Sequence, residues 1–376
     1  MNKKELELYI HIPFCVRKCS YCDFLSAPAT EQTREAYMAA LFAEIGGRAK
    51  DYSDRTVTSI FIGGGTPSLL SGEQIGQLMD RIREQFAMAQ DAEITMEVNP
   101  GTASAEKLRN FYTAGINRLS IGMQSAQAEE LKNLGRIHDF EGFCQVYREA
   151  VEAGFTNINV DIMSGLPGQT LASYRDTLEK VLHLEPMPQH ISAYSLIVEE
   201  GTPFAAMAER GELPLPEEET ERAMYEETIE VLAKYGFHRY EISNYARDGY
   251  ECRHNVGYWI RRDYLGFGIG AASLIDNVRF QNEKSLGAYL AHPLESREEE
   301  QTLTVQDRME ETMFLGLRLT RGVSCVDFAE QYGRTVEEVY GEVIARNVAD
   351  GLLTVTERKE NQKKDRLLAL TKRGLD

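Results

Sequence analysis

The stretch Tyr9-Ile-His-Ile-Pro-Phe-Cys15-Val-Arg-Lys-Cys19-Ser-Tyr-Cys22-Asp-Phe24 decides how the rest of the chain is read. Three of the six cysteines fall within these sixteen residues, on a loop that follows an apolar strand. Cys thiolates are the usual protein ligands of a cubane iron–sulfur cluster. Three thiolates leave one of its four irons without a protein ligand and open to a small molecule. A structural zinc site instead wants four closed ligands, with a second Cys or His pair downstream. The next cysteine is Cys144, and no second pair follows. The spacing therefore points to a three-cysteine [4Fe–4S] site, with a zinc knuckle as the competing reading.

Outward from that loop, short β-rich runs alternate with segments of helical period. Strands are expected at 6–12, 57–62, 93–98, 117–121, 157–163 and 190–196, with helices between them; Met38, Leu41, Phe42 and Ile45 mark one helical face. Strands alternating with helices imply right-handed crossovers and a parallel sheet. Six such units predict an α/β fold, an incomplete (β/α)6 barrel, as a first domain over 1–295. The charged run at 293–301 reads as a linker. Beyond it, Thr335 and Glu338 make a capping box before the stripe Val336, Val339, Tyr340, Val343 and Ile344. Gly351 closes that helix, and 352–355 with 367–370 form a ribbon, so 296–376 is expected to be a small winged-helix-like domain.

Net charge over the 376 residues is −18, which argues against nucleic acid as a partner. Residues 301–376 are near balance, with 12 Lys/Arg and 13 Asp/Glu, so the first domain holds nearly all the excess. No apolar run is long enough to span a membrane, and the start Met-Asn-Lys-Lys-Glu-Leu-Glu-Leu has no signal-peptide core. The scattered Cys144, Cys252 and Cys325 make no disulfide framework. A reducing, cytoplasmic setting is the expectation.

Polar residues collect where parallel barrels keep their active sites, at the carboxyl ends of strands. Gly63-Gly64-Gly65-Thr66 lets backbone N–H groups approach a ligand closely. Glu97, Gln124 and Asp161 end successive strands, and Arg136 offers a partner for a carboxylate. Each carboxylate or amide alone reads more readily as a solvated or capping residue, and Arg136 as a surface charge; placed alike on successive strands, the three suggest a ligand site. A second unusual stretch, Cys252-Arg253-His254-Asn255-Val-Gly-Tyr258-Trp259, holds the only Trp, with Arg261 and Arg262 beside it. Aromatics, bases and a histidine together suit a flat anionic ligand such as a porphyrin. The competing reading makes Tyr258 and Trp259 core residues and His254 a hydrogen-bonded turn residue.

In this order the motifs resemble the HemN/HemW family of radical S-adenosylmethionine (SAM) proteins, and within it the haem-chaperone branch, from Tyr9 to about Gly374. The resemblance is carried by Tyr-Ile-His-Ile-Pro-Phe-Cys-x3-Cys-x2-Cys, Gly-Gly-Gly-Thr-Pro-Ser, His190-Ile-Ser-Ala-Tyr-Ser-Leu196 and His254-Asn-x-x-Tyr-Trp259. It implies that Cys15, Cys19 and Cys22 hold a [4Fe–4S] cluster whose open iron binds SAM. It also implies SAM contacts at Tyr9, Tyr21, Gly64, Gly65, Thr66, Glu97, Gln124, Arg136, Asp161, Ser195 and Ala272. The haem-chaperone branch implies haem as cargo near His254, Asn255, Tyr258 and Trp259, leaving open whether His254 or Cys252 meets the iron. It implies transfer to an acceptor protein that the sequence does not identify, with membrane contact at most peripheral and through that acceptor. The family's other branch oxidatively decarboxylates coproporphyrinogen III. That branch has a longer segment before the motif and a fourth Cys where this chain has Phe24, so the chaperone is expected and the enzyme is the alternative. A nucleic-acid modifier reading through the last domain is disfavoured by charge.

Overall fold

The computed structural model describes residues 4–295, 297–360 and 363–375. Six strands, β1 (Lys4–Ile12), β2 (Arg55–Gly64), β3 (Ala87–Val98), β4 (Arg118–Gln124), β5 (Ile158–Ser164) and β6 (His190–Ser195), pair in parallel and in sequence order. The crossovers are α1 (Glu31–Arg48), α2 (Gly72–Gln85), α3 (Ala105–Thr113), the pair α4 (Ala128–Leu134) and α5 (Phe140–Ala153), and α6 (Leu171–Leu182). Every start but that of α4 is marked chemically: Thr30, Ser71, Ser104, Asp139 and Thr170 accept a backbone N–H from the first turn of α1, α2, α3, α5 and α6. Alternation along the strands sorts the two faces. In β1, Leu6, Leu8, Ile10 and Ile12 are fully buried in the core cluster that also holds Leu41 and Ile45 of α1, while Glu7, Tyr9 and His11 point into the lumen.

The parallel arc is an incomplete (β/α)6 barrel extended at both edges rather than closed. After β6 come α7 (Pro203–Glu209), α8 (Glu218–Lys234), β7 (His238–Arg239), β8 (Asn244–Ala246) and α9 (Arg253–Trp259). Next are β9 (Tyr264–Phe267), β10 (Ala272–Ile275), β11 (Val278–Asn282), α10 (Leu286–Ala291) and β12 (Arg297–Thr302). The sheet runs β12-β11-β10-β9-β1-β2-β3-β4-β5-β6-β8-β7. Sequence reasoning left this region as mixed, and it expected a linker where β12 stands. That charged strand instead pairs antiparallel with β11, its side chains exposed as suits a sheet edge. We therefore propose the domain boundary just after Thr302, not at residue 296.

The last unit comprises α11 (Val305–Gly316), β13 (Val323–Ser324), α12 (Cys325–Tyr332), α13 (Val336–Ala349), β14 (Leu353–Glu360) and β15 (Lys363–Leu370). Its three strands order β13-β15-β14 under their own small core of Met309, Phe328, Val336, Leu353 and Leu368, a winged-helix-like arrangement. The Thr335–Glu338 capping box is present. Glu311 of α11 clamps this unit to the barrel, pairing with Arg261 and Arg279 at 2.8 Å each.

Candidate functional site

The loop after β1 is pinned before any ligand is considered. Cys15 N–H donates to Ala27 O and Ala27 N–H to Pro13 O, while Ser20 N–H reaches Leu134 O at the end of α4. The loop also nests against the glycine run after β2: Gly65 N–H donates to Ile12 O at 2.8 Å and Thr66 N–H to Phe14 O at 2.7 Å. A Cβ on Gly65 would lie 2.8 Å from Phe14 O, so backbone approach itself requires glycine there. Cys15, Cys19 and Cys22 are free thiols, and all three line one cavity of about 200 Å³. Thr66 Oγ1 donates to Cys15 Sγ at 3.4 Å and Arg136 Nη1 to Cys19 Sγ at 3.8 Å, the kind of donors that tune sulfur ligands.

Across that cavity stand Tyr21, Gly64, Gly65, Thr66, Glu97, Gln124, Arg136 and Asp161, brought together as the sequence predicted. Glu97 Oε2 accepts Gly64 N–H at 3.1 Å, yet burial, and then the nearby Asp161 charge, push its carboxyl up to about 8. Burial also raises Asp161, against hydrogen bonds from Asn159 (2.7 Å) and Ser120 (3.2 Å). Arg136 is half-buried, donates Nη2 to Gly122 O at 2.8 Å, and its buried Nε has no partner among the described residues. The cavity thus offers soft thiols at one side, carboxylates short of a cation, and a guanidinium short of an acceptor. A ligand carrying both a positive centre and a carboxylate answers both deficits.

Tyr9 and Ala272 line an adjoining cavity of about 410 Å³, which shares Phe24, Gly64 and Glu97 with the first. Tyr9 OH lies 2.9 Å from His11 Nδ1. Ser195 lines neither cavity; it is exposed and shares a 3.0 Å hydrogen bond with Ser164. Residues that sequence reasoning passed over include Tyr194, whose OH donates to Gln124 Oε1 at 3.0 Å, and Ser120. Strand parity would have found them: His190, Ser192 and Tyr194 share the lumen face of β6, whereas Ser195 has the opposite parity.

The second stretch lies elsewhere. Glu7, Ser59 and Glu93 form a lumen layer on the amino side of Tyr9, Phe61 and Thr95, and α9 closes that end. Cys252 gives α9 no side-chain cap; instead Glu93 accepts the N–H groups of Arg253 and His254, both at 3.2 Å. His254 is buried, with Nδ1 2.9 Å from Ser59 Oγ and Nε2 3.1 Å from Tyr258 OH, and it stacks on Phe61. Burial holds its imidazole down at about 3. Both nitrogens are engaged within the fold, as in the competing reading of a hydrogen-bonded structural histidine. Burial likewise pushes the Cys252 thiol up to about 12. Tyr258 lines the adjoining cavity, Trp259 lies under the Arg318 guanidinium at 4.3 Å, and Asn255 is half-buried on the same helix.

Comparison with known proteins agrees with this layout. Residues 9–181 match the radical SAM superfamily and residues 303–359 the HemN C-terminal domain. The haem chaperone HemW of Bacillus subtilis is 40% identical over 352 residues, covering 92% of both chains. HemW of Escherichia coli is 37% identical, covering 93% of this chain and 92% of its own. The solved structure of coproporphyrinogen III oxidase HemN from Escherichia coli, described as a radical SAM enzyme, superposes with a TM-score of 0.83 at 28% identity. That superposition covers 98% of this chain and 87% of HemN.

Proposed function

The chain belongs to the HemN/HemW family of radical SAM proteins, and from that premise we propose that it is a haem chaperone. It takes up haem and passes it to an acceptor protein, keeping a SAM-ligated [4Fe–4S] cluster as a structural or regulatory element. The family implies the cluster and SAM, and the cavity suits them. Cys15, Cys19 and Cys22 would hold the cluster, with no further Cys or His among the lining residues. The bound cluster would supply an iron for the amino-acid end of SAM. Arg136 would then pair with the SAM carboxylate and Glu97 with its positive centre, while Gly64 to Thr66 give the backbone room to approach. No helix among the described residues is long and apolar enough to cross a membrane, and the thiols are free. We place the protein in a reducing compartment, the cytoplasm.

The observation that carries the haem reading is the end-to-end identity to proteins named as haem chaperones. Phe24 supports it: the position two residues beyond Cys22 carries a 60% exposed phenyl ring, not a thiol. The shared frame with HemN keeps the enzyme as the second reading. Two assays separate them. Anaerobically reconstituted protein should bind haem with a saturable Soret band. Reduced and supplied with SAM and coproporphyrinogen III, it should form no protoporphyrinogen; steady turnover would overturn the chaperone.

A further inference from the structure

Gln124 ends β4 in a conformation that glutamine seldom adopts, with φ at +69° in the left-handed region. The register between β4 and β5 slips just before it, between Gly122 and Gln124. Bulges and left-handed residues of this kind re-aim a side chain, and the surrounding structure has to hold the strain. Here the side chain lines the cysteine cavity, and Gln124 is only 5% exposed. An amide enclosed in a fold usually engages both its ends. In Gln169, Oε1 accepts Leu166 N–H while Nε2 donates to Glu130 and to Met163 O. Gln189 is likewise held between Ile158 N–H and Met187 O. Gln124 is engaged at one end only. Its Oε1 accepts the Tyr194 hydroxyl at 3.0 Å, and its Nε2 has no acceptor among the described residues.

Beside that Nε2 stands another donor. A Cβ on Gly122 would lie 2.9 Å from Gln124 Nε2 and 3.1 Å from Arg136 Nη2, so amide and guanidinium crowd over the same glycine. Left to itself the amide would turn over. Rotation about its last bond has two similar wells, and the other one sets Oε1 toward the Arg136 cation. Tyr194 opposes that turn. Its hydroxyl has no second acceptor among the described residues, so its proton goes to the Gln124 carbonyl. Burial, and then the Asp161 charge, keep that proton in place far above neutral pH. The Tyr194 ring packs against Leu134, Met163, Leu166 and Phe204, which fixes where the hydroxyl stands.

Resting on the reading that SAM occupies this cavity, we propose that Tyr194 is a positioning residue for the cofactor, locking the Gln124 amide with its N–H end beside Arg136. Gln124 and Arg136 then make one seat of paired donors, complementary to an oxygen of the ligand. Tyr194 itself acts only through Gln124.

Calorimetric titration of SAM into the anaerobically reconstituted full chain tests this in wild type, Tyr194→Phe, Gln124→Ala and the double variant. Tyr194→Phe keeps the ring and removes only the hydroxyl, and retained cluster absorbance shows that the cysteine loop is intact. It should weaken SAM about tenfold, the scale of one hydrogen bond to a charged group. Gln124→Ala should weaken SAM at least as much, and in its background Tyr194→Phe should change affinity by less than about twofold. A tyrosine with a merely structural role would instead weaken SAM equally in both backgrounds. Gln124→Glu, with acceptors at both ends, reports independently and should bind SAM more weakly than Gln124→Ala; tighter binding overturns the paired-donor seat. Unchanged affinity in Tyr194→Phe, or an equal loss with and without Gln124, overturns the positioning role and leaves the SAM site standing. Cluster-loaded wild type that binds no SAM overturns the cofactor reading, and this inference with it.

Discussion

Glu97 gives the most quantitative test of the cofactor cavity. Its carboxyl titrates at about 8 because the fold buries it and sets Asp161 nearby, against about 4.3 for a free Glu side chain. In the folded protein at pH 7 about nine molecules in ten therefore carry the proton. A ligand with a positive centre beside Glu97 favours the carboxylate and must expel that proton. Ionising Glu97 costs about 1.4 kcal/mol at pH 7 and about 2.7 kcal/mol at pH 6, and almost nothing above pH 9. Affinity of the cluster-loaded protein for SAM should thus rise about tenfold per pH unit from pH 6 to 8 and then level off. Calorimetry in buffers of different ionisation enthalpy should count about 0.9 proton released per SAM at pH 7 and under about 0.1 at pH 9. Glu97→Gln should lose this release. The reasoning is refuted if wild type binds SAM with a flat pH profile and no proton release, because Glu97 then does not meet positive charge.

Three further outcomes follow from other parts of the fold. Cys19→Ala should abolish the broad visible absorbance and the bound iron of the anaerobically reconstituted protein, whereas Cys144→Ala, on α5, should not; full retention in Cys19→Ala refutes the ligand assignment. Burial holds His254 down at about 3, so as pH falls below about 6.5 the unfolded chain takes up the proton first. Stability should then drop by about 1.4 kcal/mol per pH unit from this residue, a slope that urea melts of His254→Gln should lack. Glu311→Ala strands Arg261, only 3% exposed, and should cost about 3 kcal/mol, seen as early release of the C-terminal unit in limited proteolysis.

The six parallel strands were legible because alternation along each is strong and the turns between are chemically marked. Leu6-Glu7-Leu8-Tyr9-Ile10 alternates so regularly that both the strand and its inward face follow from the letters alone. The cofactor cavity was legible for a related reason: strand ends in a parallel barrel converge, so Glu97, Gln124 and Asp161 had to approach one another. Ser195 was placed by motif, whereas strand parity turns it outward, and it lines neither cavity. The extension from β7 to β12 was hidden by short strands, two to six residues long, that join the barrel only through the distant pairings β8–β6 and β9–β1. β12 is the extreme case: Arg297-Glu-Glu-Glu300 has the composition of a linker, and only pairing with β11 makes it a strand. His254 shows the limit at the site. Its neighbours suggested an open ligand platform, but burying α9 against Ser59, Phe61 and Glu93 is a tertiary event that no local pattern announces.

The lumen that α9 closes is charged, and the balance of those charges gives cofactor binding a structural consequence. Arg118 is fully buried midway along it, with Glu93 and Asp161 among the groups that keep it ionised. Glu7 and Glu97, at the amino and carboxyl sides of that layer, both have their carboxyls pushed up to about 8 by burial. Near neutral pH the interior therefore stays close to electrical balance by holding protons on carboxylates. That is a costly substitute for a counter-ion, because every rise in pH toward 8 withdraws it and weakens the fold. A positively charged ligand beside Glu97 takes over the protons' role and stabilises the native state by mass action. Because Asp161 is hydrogen-bonded through Asn159 and His190 to Tyr240, its charge state bears on side chains beyond the cysteine cavity as well as within it. On this argument, the charge beside Glu97 and the hydrogen bonding of Tyr240 are two readings of one buried electrostatic balance.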